Sequence, residues 1–223
     1  MDNIKETINK INTIEECSYF KILKKFPTKK SFVNSLSDFI IAVNEWSKIL
    51  GLMIYKVPSD KERSVIINNL MDEHGNGDIS KSHVNTFQLF INSLDNDSDR
   101  CKEILKNYNS YNHINQEVEQ FVKQIIKILI IEDWIVTISM LGMIEYTYIT
   151  VSKNIHNYAK NFIKLHEIAD FKHSFDFFEL VAPYYETDKS NINTGINLGY
   201  TIIYEYFGSI SKYLELKTDL EPL

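Results

Sequence analysis

Apolar residues recur along this chain at spacings of three and four, over stretches long enough to be helices. The pattern breaks at prolines, at glycines and at clusters of Asn, Asp and Ser. A first amphipathic piece is expected over residues 4–25, and "FPT" stops it at Pro27. A long helix is expected over 30–55 and another over 61–73, with "PSD" supplying cap residues between them. After the glycine-bearing turn "HGNGDISKS" the periodicity resumes over 82–94. A short segment to Tyr108 follows, then two long apolar helices over 116–131 and 133–152, one helix over 157–185 and a last one over 191–216. No period-two alternation persists beyond a few residues, so strands are not expected. The expected fold is all-α: one domain spanning residues 1–223, a bundle of about seven or eight helices.

Composition supports this reading and narrows the function. Seven Gly and four Pro among 223 residues leave room for long helices with short connections. Hydrophobic residues make up 44% and charged residues 24%, a globular balance that can bury a sizeable core. A net charge of −6 lacks the basic footprint that nucleic acid requires. The lysine-rich "KILKKFPTKK" reads as a solvated helix end and turn. Cys17 and Cys101 are too few and too far apart for a disulfide framework, and reduced thiols fit a cytoplasmic protein. "MDNIKETINK" is polar and acidic from its start, unlike a signal peptide. In the most apolar region, Lys127, Glu132 and Asp133 leave a clean run only from Ile135 to Ile144. About twenty residues are needed to span a bilayer, so a buried core helix is expected and no membrane partner.

Polar residues inside the apolar seams carry the chemistry. On one helical face the row reads Phe162, His166, Asp170, His173, Phe177, Leu180. Glu145 stands among Ile138, Leu141 and Tyr148, with Gly142 one turn back. Glu73 continues the seam of Ile66 and Leu70, and His83 opens the seam of Phe87, Phe90, Ile91 and Leu94. Each has an ordinary reading when taken alone. Glu145 is protonated or meets a Lys or Tyr, Glu73 is a solvated helix end, His83 is a first-turn residue, and the His–Asp–His trio is a packed polar cluster. Together they are three carboxylates and three imidazoles, and burying such groups is costly unless they are paired. Oxygen and nitrogen donors without thiolate suit two iron or manganese ions and argue against structural zinc. The Glu-x-x-His pairs of ferritin-like proteins are absent.

The segments "NLMDEHGNGD…SH", the Glu145 helix and "LHEIADFKH" together resemble the heme-oxygenase-like diiron oxidases. The resemblance covers roughly residues 66–180. It implies a heme-oxygenase-like helical fold and six metal ligands at Glu73, His83, Glu145, His166, Asp170 and His173. It also implies two Fe ions (Mn being possible in one site), O2 as co-substrate, an external electron donor, and a small amino-acid-like or amine substrate. A homodimer stays open. Glu145, deepest in apolar sequence, is the expected bridging carboxylate.

Within the family the chain is similar to the chlamydial para-aminobenzoate synthases, which consume one of their own tyrosines. Either Tyr19 or Phe20 of "CSYFKIL" takes that place here. The lysine needed ten residues after the central glutamate is Ile155, with Lys153 nearby, and the turn between Glu73 and His83 is longer. Two further readings keep the helical fold without metal: a thiaminase-II-like enzyme, and a helical interaction protein.

Overall fold

The computed structural model describes residues 1–95, 99–110, 115–160 and 172–216. Within them are eleven α-helices: α1 (Asp2–Asn9), α2 (Ser18–Leu23), α3 (Lys29–Leu36), α4 (Ile40–Lys56), α5 (Asp60–Glu73), α6 (His83–Leu94), α7 (Arg100–Asn109), α8 (Gln116–Ile131), α9 (Trp134–Ala159), α10 (Lys172–Val181) and α11 (Tyr185–Ile210). Among the described residues the only β contact is an isolated antiparallel bridge between Pro27 and Leu216. The fold is all-α and of the heme-oxygenase-like class.

The helices are cut more finely than periodicity alone indicates. The expected first piece is divided by a 3-10 turn over Ile14–Glu16, which Thr13 caps by accepting from the Glu15 amide. The expected helix over 30–55 is divided by a 3-10 turn over Ser37–Phe39. There Ser35 and Ser37 donate their hydroxyls back to the carbonyls of Phe32 and Val33, which competes with a regular ladder. Pro58 forces Val57 into extended backbone and ends α4. Asn115 and Asp133 cap α8 and α9 through their side-chain oxygens.

Two boundaries differ from expectation. Helix α9 continues past Ser152 to Ala159, because no breaker intervenes and Val151, Ile155, Tyr158 and Ala159 extend its buried face. The expected helix over 157–185 therefore loses its start to α9, and its described part is α10, which stops before the Ala182–Tyr184 turn that holds Pro183. Helix α11 begins earlier than expected, at Tyr185, with one kink at Asp188.

Helix α9 is the core of the arrangement and packs along α11 and α10. It is long and apolar enough to cross a membrane by length and composition, yet 67% of its most apolar window is buried inside the protein, as in a core helix. Gly195 and Gly199 of α11 lie against the α9 backbone, where a Cβ would collide with the carbonyl oxygens of Val136 and Met140. On the other side, a Cβ at Gly142 would stand 3.1 Å from Phe178 and 3.2 Å from Phe177. The absent side chain lets α10 approach α9 closely. One turn along each helix from that crossing stand Glu145 and His173.

Candidate metal centre

Helix α5 buries Glu62, Ile66, Asn69 and Glu73 on one face, so Glu73 ends the helix on its inner side. It is 5% exposed and is no solvated terminus. The last turn of α5 carries Asp72 and Glu73 and no basic residue. Carboxylates at a helix C-terminus face its negative end, a cost of about 0.3–1 kcal/mol each that other groups must offset. The turn then reverses through Gly75, Asn76 and Gly77, all at positive φ. Ser82 caps α6 by accepting from the Asn85 amide, and His83 opens that helix.

This folding-back brings His83 Nδ1 to 2.8 Å from Glu73 Oε2. His173 is buried on α10, with Nδ1 3.9 Å from Glu73 Oε1. Its ring lies face to face with that of His83, with centroids 6.2 Å apart. Glu73, Glu145 and His173 each offer a ligand atom within 4.8 Å of the others. Four of the six residues singled out from sequence thus converge from α5, α6, α9 and α10. His166 and Asp170, with Phe162, lie outside the described residues. Phe177 and Leu180 continue the His173 seam into the core.

The electrostatics of the cluster would favour a bound cation. Burial pushes the Glu145 carboxyl up to about 7, and the charge of Glu73 adds to that rise. The imidazoles of His173 and His83, and a hydrogen bond from Trp46, act in the opposite direction. Two carboxylates forced together inside a protein repel and lose hydration, and a divalent ion between them reverses both penalties. All the donors are oxygen or nitrogen. Cys17 and Cys101 are buried elsewhere in the core, Cys17 donating to the Tyr204 carbonyl. The set fits iron or manganese.

Four neighbouring residues were not picked out as site residues from sequence. Asp72 Oδ2 lies 3.3 Å from His173 Nε2. Trp46 of α4 is close enough to Glu145 to oppose the rise of its carboxyl. Tyr148, one turn beyond Glu145, stacks on Phe39, and burial with the charges of Glu145 and Glu73 raises its phenol well above the ordinary range, against the opposing influence of Ser152. Asn69, one turn before Glu73, is fully buried, and among the described residues neither its oxygen nor its nitrogen has a hydrogen-bond partner. Its signal was readable, since it stands three residues after Ile66 and four before Glu73 on the same face. His74, turned away from Glu73 by one residue, is exposed as the helical spacing requires.

Tyr19 is fully buried in α2 against Phe20 and Phe207, and its hydroxyl lies 3.0 Å from Ser35 Oγ. Phe20 is equally buried. Ile155 is a core residue of α9, and Lys153 points outward.

A family profile described as iron-containing redox enzyme matches residues 34–199, a span that holds every converging residue above. The chain belongs to that family. Among solved structures, this chain is similar to a CADD-like protein of unknown function from Nostoc punctiforme. Its crystal structure at 1.35 Å superimposes with a TM-score of 0.68 at 12% identity, covering 95% of this chain and 92% of that one. A second crystal structure of that protein, at 2.00 Å, gives a TM-score of 0.65 at 11% identity, covering 96% of both chains. At such identities the likeness is one of fold. No curated protein sequence matches the chain.

Proposed function

We propose that the chain is a non-heme diiron oxidase or oxygenase that uses O2 on a small amino-acid-like or amine substrate. The observation that carries this reading is the convergence of Glu73, Glu145 and His173, beside His83, inside a member of the iron-containing redox enzymes. Glu73, His83, Glu145 and His173 would hold metal together with His166 and Asp170. Iron bound there supplies O2 activation and one-electron chemistry, and an external donor would return electrons between turnovers.

The chain's own residues prepare that chemistry. Trp46 acts on the Glu145 carboxyl in the direction that favours its ionised form, the form in which it would hold a metal. Tyr148, one turn beyond Glu145, keeps its phenolic proton across the physiological range, because burial and the charges of Glu145 and Glu73 oppose its loss. The Asn69 amide presents one donor pair and one acceptor toward the interior, matching a polar group on a bound substrate. Phe177 and Phe178, buried where α10 crosses α9, and Phe39, stacked on Tyr148, are apolar surroundings that would limit water.

Anaerobic titration with Fe(II), followed by metal analysis after desalting, tests the reading. Two irons per chain are expected in the wild type and fewer in His173→Ala, with helix content retained in both by circular dichroism. Equal stoichiometry in the two proteins would refute the ligand set.

A second, narrower reading is para-aminobenzoate synthesis at the expense of Tyr19. The "NLMDE" segment before His74 favours it, while Ile155 stands where a lysine is required. Complementation of a para-aminobenzoate auxotroph by the wild type, lost in Tyr19→Phe, is its expected signature. Complementation that survives Tyr19→Phe removes Tyr19 from the reaction.

A further inference from the structure

Helix α1 is anchored to α11 through its polar side. Asn3 Nδ2 donates to Glu186 Oε1, and Thr7 Oγ1 donates to Asn193 Oδ1, each at 3.3 Å. Its apolar side carries Ile4 and Ile8, one turn apart and both buried. Beneath that side is a cavity of about 160 Å³, bounded by Ile4 and Ile8, by Tyr146 of α9, and by Phe175 and Phe178 of α10. Phe178 packs on Gly142 of α9, which commits its ring to that wall. Phe175 is 39% exposed, and Lys5 and Asn9 of α1 are exposed too, so the cavity reaches the surface beside them.

Size limits what can enter. A cavity of about 150 Å³ with apolar walls accepts one benzene ring. Drug-sized ligands occupy roughly 300 Å³ or more. The space under α1 therefore suits a single ring and excludes a nucleotide or a long acyl chain. Three of its walls are aromatic, and aromatic rings favour tilted or offset contact with another ring.

Charge limits it further. Among the lining residues Lys5 alone is charged, and it has no ion-pair partner among the described residues. Asn9 follows it by one turn on the same helix face and offers an amide. An ammonium and an amide donor beside an apolar seat match a ring that carries a carboxylate.

We propose that this cavity is a binding site for a single-ring aromatic carboxylate, its ring between α1 and the aromatic walls and its carboxylate at Lys5. The cavity shares α9 and α10 with the candidate metal centre but uses none of its ligands, so the proposal stands apart from the diiron reading.

The test uses full-length protein with 13C-labelled isoleucine methyl groups, the Ile4 and Ile8 signals being assigned with Ile4→Val and Ile8→Val. Benzoate is titrated at neutral pH, with benzamide as its neutral counterpart and acetate as a carboxylate without a ring. Benzoate should shift both signals saturably, benzamide should do so more weakly, and acetate should leave them unmoved. Lys5→Gln, an exposed change, should weaken benzoate roughly 2- to 5-fold, the worth of one exposed ion pair, and leave benzamide unchanged. Phe175→Ala, on a partly exposed wall, should weaken both by a similar factor. No saturable shift up to the solubility of benzoate overturns the proposal. So does equal binding of benzoate and benzamide, an unchanged benzoate affinity in Lys5→Gln, or acetate matching benzoate.

Discussion

His83 Nδ1 lies 2.8 Å from Glu73 Oε2, across the turn that joins α5 to α6. The contact joins the last residue of one helix to the first of the next, and it places a half-exposed imidazole over a buried carboxylate. Glu73 otherwise stands in adverse surroundings, at a helix C-terminus and beside Glu145. Glu73→Gln keeps an acceptor for His83 and removes the charge. In the metal-free protein it should raise stability by about 1 kcal/mol and at the same time reduce iron uptake. Thermal unfolding with chelator present, paired with an iron count, checks both halves, and a lowered melting temperature would contradict the account of Glu73 as strained.

Asn69 offers a similar opposition between stability and use. Leaving buried amide groups without partners costs about 1–3 kcal/mol. Asn69→Leu, close in size and needing no partner, should therefore stabilise the protein by a comparable amount. Urea unfolding measures it. Stabilisation together with weaker substrate turnover is the pattern of a group kept for a ligand; destabilisation would mean that the amide is satisfied in solution.

Gly199 tests the packing that holds α9 in place. A methyl group there meets the Met140 carbonyl and the Met143 side chain, and backbone cannot yield as a flexible side chain can. Gly199→Ala should cost about 1–3 kcal/mol or more, well beyond the small gain in helix propensity. A stability equal to wild type would show that α9 and α11 can separate without penalty.

Asp38 sets a pH dependence away from the metal residues. Burial raises its carboxyl, the Glu117 charge on α8 adds to this, and the Asn115 amide and Arg100 on α7 oppose it. Tyr206 on α11 faces the same region. The folded-state value lies above the unfolded one, so this group's contribution is fully present below the unfolded value of about 3.9 and is lost as pH rises through the folded value. Asp38→Asn should flatten that decline and raise stability at neutral pH relative to wild type. Melting temperatures from pH 4 to 7 for both proteins decide it, and parallel curves would remove Asp38 as a cause.

The sequence by itself determined that the chain is helical and which faces are apolar, because a 3.6-residue period shows in the order of residues alone. It also singled out Glu73, His83, Glu145 and His173, since an ionisable group on an apolar seam is conspicuous wherever its helix ends up. Helix ends were less legible. The hydroxyl back-bonds of Ser35 and Ser37 and the unbroken buried face beyond Ser152 depend on which neighbours compete for each group. Tertiary structure alone decided which polar residues meet. Gly142 reads as a weak spot in a helix until Phe177 and Phe178 are seen to fill its gap and draw His173 toward Glu145. Asp72 reads as a charged residue in a helix's last turn until α10 lays an imidazole 3.3 Å away. Asn69 gives no sign in sequence that its amide lacks a partner, because hydrogen bonding is settled by distances across helices and not by position along one.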